Sequence, residues 1–421
     1  MHKFLFMHQR FIVIIGVLLL IDFYFFQSIL TLLKNSTPAR KSTVISIYWG
    51  FTIFSVALLL INFVYPFREW NQYIRIYVVA FVVGALICKI VGSVFLLADD
   101  VIRLVRWMGT YLVPSSAPDP SHPHSISRIK FISQMAIFMA AVPYLSLIYG
   151  MFKGGFDIKI KKTKLHLPNL PDAFNGLRIV QISDIHCGSF TTPAHFENAV
   201  QLINKEQPDL VFFTGDLVND VATETEKFSA TFSKIQAPMG VYSTLGNHDY
   251  GDYVSWDSEQ EKAANLNSLK QKHKEYGWRL LLNEHVALQK GDAKIALIGI
   301  ENWGARGFTK YGDLKKAHSG TENYPVKLLL SHDPSHWEAE VLKKYNDIDV
   351  AFAGHTHGMQ FGVEIPGFKW SPVQYIYKQW AGLYQHGNQY LYVNRGLGFI
   401  GYPGRVGILP EITVVELSNK A

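Results

Sequence analysis

Cysteine is nearly absent: Cys88 and Cys187 are the only two in 421 residues. Cys88 falls inside a long apolar run, so the C-terminal part holds a single thiol and forms no internal disulfide. Net charge is also lacking beyond residue 150. Residues 1–150 carry 12 Lys+Arg against 5 Asp+Glu, whereas the remainder carries 28 against 29. The basic balance of the chain therefore belongs to its first part. With no stripe of basic and aromatic residues in the second, a nucleic-acid-binding catalytic region is excluded. Internal repeats and low-complexity tracts are missing too. "RGLG" at 395–398 lacks a full G-x-G-x-x-G and a following helix, which removes dinucleotide binding.

What the first part has instead is apolar length. Runs at 11–33, 44–65, 74–97 and 131–150 are 20 to 24 residues each, and about 20 apolar helical residues cross a bilayer core. Residues 1–150 thus read as a membrane domain of four transmembrane helices. Lys3 and Arg10 resemble the basic start of a signal peptide, but the run after them is too long and lacks a small-x-small cleavage site, so it reads as a retained anchor. An even number of spans places the N-terminal tail and the C-terminal region on one side. That side carries nine basic residues near the spans (Lys3, Arg10, Arg68, Arg75, Lys153, Lys159, Lys161, Lys162, Lys164) against seven opposite. The positive-inside bias puts the C-terminal region in the cytoplasm of a multi-pass cell-membrane protein. Asp22 in the first span and Lys89 in the third can reach similar depth, and intramembrane charges pair or line polar cavities. The Pro/Ser/His-rich stretch 115–127 reads as a solvated linker.

After the fourth run, residues 151–175 form a basic, Pro-containing connector. From 176 to 421 short β-branched and aromatic runs alternate with helical spacing: "LRIVQIS", "DLVFFTG", "VYSTLGN", "KIALIGI", "KLLLSHD", "DVAFAGH" and "QYLYVNR", with "PAHFENAVQLINKEQ" and "TETEKFSATFSKI" between some of them. This predicts a layered α/β domain with both sheet faces covered.

Polar residues cluster just past these strand ends, where α/β sheets place ligands. They are Asp184 and His186, then Asp216, then Asn247, His248 and Asp249, then His332, then His355 and His357. Five of the 16 histidines fall here; the others, His195, His273 and His386 among them, sit in polar sequence and read as surface residues. Oxygen and imidazole donors together suit Mn, Fe or Zn better than Mg or Ca. The glycines at 215, 246 and 354 leave the backbone room to turn where donors converge. Cys187 reads as a packing residue. Arg405 reads either as a substrate contact or as half of a structural salt bridge.

The ordered set D-x-H, G-D, G-N-H-D, a lone H and G-H-T-H resembles the calcineurin-like metallophosphoesterases over roughly 176–418. The ending from Arg395 to Thr413 resembles their bacterial membrane-anchored branch. The resemblance implies a four-layer αββα sandwich behind the four transmembrane helices. It implies that Asp184, His186, Asp216 and His357 hold one divalent metal and that Asp216, Asn247, His332 and His355 hold the other, with Asp216 bridging. It also implies that His248 is the catalytic imidazole, oriented by Asp249. Two such metals, manganese among the candidates, clamp attacking and leaving oxygens and acidify a bridging water, which attacks phosphorus while His248 protonates the departing group. Two dications, two carboxylates and a hydroxide leave a net charge of about +1, attractive to a phosphoester. The membrane anchor favours a lipid-linked phosphoester, with a nucleotide phosphoester as the other choice; the bilayer is the implied partner and nucleic acid is not. The segment 361–384, rich in Trp, Tyr and Pro, reads as either a membrane-facing or substrate-shaping loop or core packing. The competing class is a non-catalytic membrane protein whose metal domain docks or senses. An intact His248–Asp249 pair speaks against it.

Overall fold

The computed structural model describes residues 2–65, 70–112 and 128–420, so the linker 115–127 and Arg68 of the orientation count lie outside the described residues. The chain divides into two compact units, 1–149 and 150–421.

The first unit consists of α1 (His2–Leu33), α2 (Pro38–Val64), α3 (Gln72–Leu112) and the start of α4 (Arg128–Phe152). Helix α2 begins where Thr37 accepts a hydrogen bond from the Arg40 amide and Pro38 occupies the first turn, a position at which its missing N–H costs nothing. All four helices are long and apolar enough to cross a membrane, with α3 running 41 residues. Side chains such as Leu20, Ile47 and Ile53 are exposed, as expected of surfaces meant for acyl chains. Asp22 and Lys89 do meet: the ammonium contacts the Asp22 carboxylate, which also accepts from Thr52 Oγ1 at 2.8 Å and Tyr48 OH at 3.2 Å. Lys89 Nζ lies 4.6 Å from the centre of the Tyr48 ring. Each charge deep in the helices is thus met by polar or π partners.

The second unit is built on two six-stranded sheets. Strands β1 (Lys159–His166), β2 (Arg178–Ile182), β3 (Leu210–Thr214), β4 (Val241–Thr244) and β5 (Trp278–Leu280) make one sheet with the final strand. The other contains β6 (Glu284–Lys290), β7 (Ala293–Gly299), β8 (Lys327–Leu330) and β9 (Val350–Ala353). A separate hairpin, β10 (Val363–Ile365) and β11 (Phe368–Trp370), precedes β12 (Gly382–His386), β13 (Gln389–Val393) and β14 (Glu411–Ser418). The strand orders are β1-β14-β2-β3-β4-β5 and β12-β13-β9-β8-β7-β6. The inner strands run parallel, so their C-terminal ends share one edge.

The two sheets face each other across an apolar layer that includes Ile179, Phe212, Leu297, Leu328 and Phe352, with the Phe212 and Phe352 rings 5.2 Å apart edge to face. The outer face of the first sheet is covered by α5 (Ala194–Lys205) and the helix Glu259–Glu275 through Phe196, Ile203 and Leu269. The outer face of the second is covered through Leu314, Trp337 and Val341. Four layers in the order αββα result. All seven strand segments quoted above are strands. Only Ser229–Phe232 of "TETEKFSATFSKI" is α-helical, because residues 222–228 wind as a tighter 3₁₀ turn.

The connector 151–175 contains strand β1, which pairs in parallel with β14 over eight residues, Lys159 opposite Glu411 to His166 opposite Ser418. Its lysines disguised it, since charged side chains are what an edge strand carries. His195 and His273 are buried rather than on the surface, while His386 is exposed as expected. His195 stacks on Phe190 and donates from Nε2–H to Leu397 O at 3.0 Å; His273 packs on Trp278 and contacts Ser243 Oγ at 3.0 Å.

Candidate metal centre

The parallel strands β2, β3, β4, β8 and β9 end at one edge, and each is followed by one block of the ordered donor set. The chain must turn sharply there. Asp184, His186, Asp216, His355 and His357 all have positive φ, between 44° and 72°. Non-glycine residues pay roughly 1–3 kcal/mol each for such a backbone, and it persists where surrounding structure dictates it. Two glycines give the space: a Cβ on Gly354 would lie 2.2 Å from Asp184 Oδ2, and one on Gly246 would lie 2.2 Å from Asp216 Oδ1.

The donors fall into two groups. In one, His357 Nε2 lies 3.1 Å from His186 Nε2 and 3.3 Å from Asp184 Oδ1. In the other, His332 Nε2 lies 3.1 Å from Asp216 Oδ2 and 3.3 Å from His355 Nδ1, which is 2.8 Å from Asn247 Oδ1. Within each group of three ionisable residues the ligand atoms lie within 4.8 Å of one another. Asp216 Oδ2 is also 3.6 Å from His186 Nε2, so this carboxylate stands between the groups. All seven expected ligands therefore converge.

Their hydrogen bonds suit cation binding. His332 Nδ1–H donates to Thr214 O at 2.6 Å, which turns Nε2 toward Asp216, where a bound cation would take the place of its proton. Asn247 Nδ2 donates to Tyr253 OH at 2.8 Å, which turns its carbonyl oxygen inward. The His355 amide donates to both Asp184 oxygens, at 2.9 and 3.0 Å. Imidazole nitrogens about 3 Å apart, beside carboxylates and a carbonyl oxygen, form an electron-rich set that a divalent ion satisfies. Electrostatics agree. Burial pushes Asp184 up to about 6 and His186 down to about 3. Burial disfavours charge on His332 as well, but the Asp216 carboxylate outweighs it and carries that imidazole up to about 10. Packing these groups together is costly without positive charge at the centre.

His248 is half-buried at the edge of this cluster, its ring 4.9 Å from that of His186. Its Nδ1–H donates to the Asn219 carbonyl at 2.7 Å, and its backbone amide donates to Asp216 Oδ1 at 2.9 Å. Asp249 does not orient it. The Asp249 carboxylate accepts from the amides of Asp216 and Leu217 at 2.9 and 2.8 Å and of Gly246 at 2.9 Å. It ties the loops after β3 and β4 together, and burial followed by the nearby Asp216 charge pushes it up to about 7. The reason is geometric: residues 247–250 form a 3₁₀ turn whose successive side chains diverge, His248 outward and Asp249 into the core.

Three groups went unseen in the sequence. The Asn219 carbonyl carries no side-chain signature. Tyr377, whose OH is 2.9 Å from His355 Nε2, lay in the aromatic segment 361–384 without a role. Asp333 Oδ2 is buried 3.7 Å from the same nitrogen, and its place directly after His332 was the available signal. Arg405 forms no salt bridge among the described residues. It is fully buried, with Nη2 3.1 Å from His357 Nδ1 and Nε donating to Gly398 O at 2.9 Å. Cys187 is buried among apolar side chains, as expected.

A donor set of this kind at the edge of an αββα sandwich defines a metallophosphoesterase-type centre. The family model described as calcineurin-like phosphoesterase matches residues 177–359, and that described as probable calcineurin-like phosphoesterase, transmembrane domain, matches residues 8–155. The chain belongs to the calcineurin-like phosphoesterase family of metal-dependent hydrolases, in a form that carries a multi-pass membrane domain. A transmembrane protein with metallophosphoesterase domain from Danio rerio is 28% identical over 282 residues, covering 65% of this chain and 60% of that protein's length. The uncharacterized metallophosphoesterase YkuE of Bacillus subtilis is 28% identical, covering 59% and 82%. The UDP-2,3-diacylglucosamine pyrophosphatase LpxG of Chlamydia muridarum is 28% identical, covering 62% and 89%.

Proposed function

We propose that this chain is a membrane-anchored, dinuclear-metal phosphoester hydrolase acting on a lipid-linked phosphoester or pyrophosphate. The observation that carries the reading is Asp216 standing between two complete donor groups, with His248 at their edge. Two divalent ions of the Mn, Fe or Zn type, when bound, would polarise phosphoryl oxygens and acidify water between them. The chain's own residues do the rest. Asp184, His186, Asp216 and His357 hold one site; Asp216, Asn247, His332 and His355 hold the other. His248, with Nδ1–H engaged by the Asn219 carbonyl, presents Nε2 to the leaving oxygen and delivers a proton there. Tyr253 keeps the Asn247 amide turned so that its oxygen, not its nitrogen, faces the centre.

The lipid-linked substrate is supported by the four apolar helices and by the chlamydial relatives, whose names give UDP-2,3-diacylglucosamine as their substrate. A cytoplasmic catalytic unit is supported by the excess of basic residues on its side of the membrane. The test is turnover of a chromogenic phosphodiester by the full chain, with manganese and with chelator, followed by a panel of lipid-linked and nucleotide phosphoesters monitored for phosphate or diphosphate products. Absence of metal-dependent turnover on every substrate would remove the hydrolase reading. Turnover of nucleotides alone would remove the lipid.

A further inference from the structure

The hairpin β10–β11 is inside out. Its register places Val363 opposite Trp370 and Ile365 opposite Phe368, so these four apolar side chains share one face, and Glu364 opposite Lys369 occupies the other. In a hairpin resting on a soluble domain the apolar face turns inward. Here Glu364 is the inward group, accepting from Arg395 Nη2 at 2.9 Å and paired with Lys161 at 3.1 Å. Ile365 and Phe368 flank the Pro366–Gly367 turn at 58% and 54% exposure, and Val363, Tyr375 and Ile376 beside them are exposed too. Gly367 has φ 78°, which suits a tight turn that pushes those two side chains to the tip. A contiguous apolar patch of this kind marks a surface that meets something other than water.

The backbone indicates what it meets. The Gly362 amide, at the hairpin's root, donates to Val406 O at 2.9 Å, and the Val406 amide donates to Gln360 O at 2.8 Å. The next residue, Arg405, donates from its amide to Gly150 O at 3.2 Å. Gly150 lies in the fourth apolar stretch, which ends at Phe156. The hairpin is therefore rooted two backbone hydrogen bonds from the point where the chain leaves its last apolar helix. Lys161, which holds Glu364, follows the end of α4 by nine residues. Exposed Phe152 and Phe156 belong to the same exit segment. The apolar tip and its root beside this exit segment together favour a lipid surface as what it meets.

We propose that the β10–β11 hairpin is a bilayer-docking element whose tip, Ile365 and Phe368, inserts into the acyl boundary with Val363, Trp370 and Tyr375 at headgroup depth. Aromatic residues with one polar end favour that depth. The metal centre would then open at the headgroup layer, since the hairpin's root follows the ligand His357 by only a few residues.

The experiment uses the full chain in phospholipid nanodiscs. Cys88 and Cys187 are buried, so an environment-sensitive fluorophore can be attached to a new thiol in Ile365→Cys, in Phe368→Cys, and in Asp292→Cys at the β6–β7 turn as a control. Blue-shifted emission quenched by spin-labelled lipid at 365 and 368, and not at 292, is expected. Solvent-like, unquenched emission at the tip overturns the proposal. So does a tip shielded from water but not quenched, which would point to a protein partner or a second copy. A doubly substituted chain, Ile365→Ser with Phe368→Ser, should keep turnover of a soluble phosphodiester while KM for a vesicle-borne phosphoester rises about tenfold or more. Equal KM in the two chains also counts against docking. Quenching reads the bilayer contact and not hydrolysis, so a chain inactive on every substrate would fail the hydrolase reading alone.

Discussion

At the scale of single residues, the adjacent pair His248 and Asp249 separates two functions. His248 is half-buried with one ring nitrogen tied back to a carbonyl, so His248→Ala should keep both ions by elemental analysis and lose about 10²-fold or more in turnover. Asp249 holds backbone amides from two loops, so Asp249→Ala should show reduced metal content and a lowered unfolding temperature instead. If Asp249→Ala kept full metal content and lost only turnover, the structural role would be wrong. Titration gives a second residue-scale test. Burial holds His273 down to about 3, against about 6.5 in an unfolded chain. Between those values the unfolded chain binds a proton that the folded one refuses, so stability is intact above about 6.5 and drains as pH falls, by about 1.4 kcal/mol per unit. His273→Gln should flatten the fall in unfolding temperature between pH 6.5 and 5; an unchanged slope would remove the assignment. The seven donors that converge were legible because each follows an apolar run. The buried histidines were not, because part of what encloses His195 and His273, the rings of Phe156 and Phe213, comes from distant parts of the chain.

At the scale of elements, the strand ends set the site's tolerance. In Gly354→Ala the new methyl would lie 1.9 Å from Ser183 Oγ and 2.2 Å from Asp184 Oδ2. The loops after β2 and β9 would have to part, at a cost of about 1–3 kcal/mol. That chain should bind less metal, with the group of Asp184, His186 and His357 losing affinity first; a titration matching the parent's would show that the loops yield freely. Interior strands were legible as continuous apolar runs, which strands buried on both faces must be. Edge elements were not. In β1 only Leu165 of eight residues is buried, and β10–β11 carries its apolar side chains outward, so neither shows an inward-facing pattern.

At the scale of the whole molecule, the membrane unit has its own polar keystone. Asp22→Asn leaves the Lys89 ammonium without its carboxylate among apolar helices, where breaking a buried pair costs about 3 kcal/mol or more. The expected result is a lower unfolding temperature in nanodiscs, restored in part by adding Lys89→Met. Equal stability of parent and Asp22→Asn chains would mean that the contact is dispensable.

The pairing of β1 with β14 governs how such a chain is made. The first strand of the catalytic unit hydrogen-bonds along its length to the last, and β14 alone joins β1 to the rest of its sheet. During synthesis the apolar helices emerge first, and β1 then waits while more than two hundred residues follow it. Its sheet closes only once β14 has emerged, so nascent chains carry an open, lysine-guarded edge until then. Deletion of residues 411–418 should therefore yield chains that still insert in the membrane, and a protease-protection assay should find their second unit degraded.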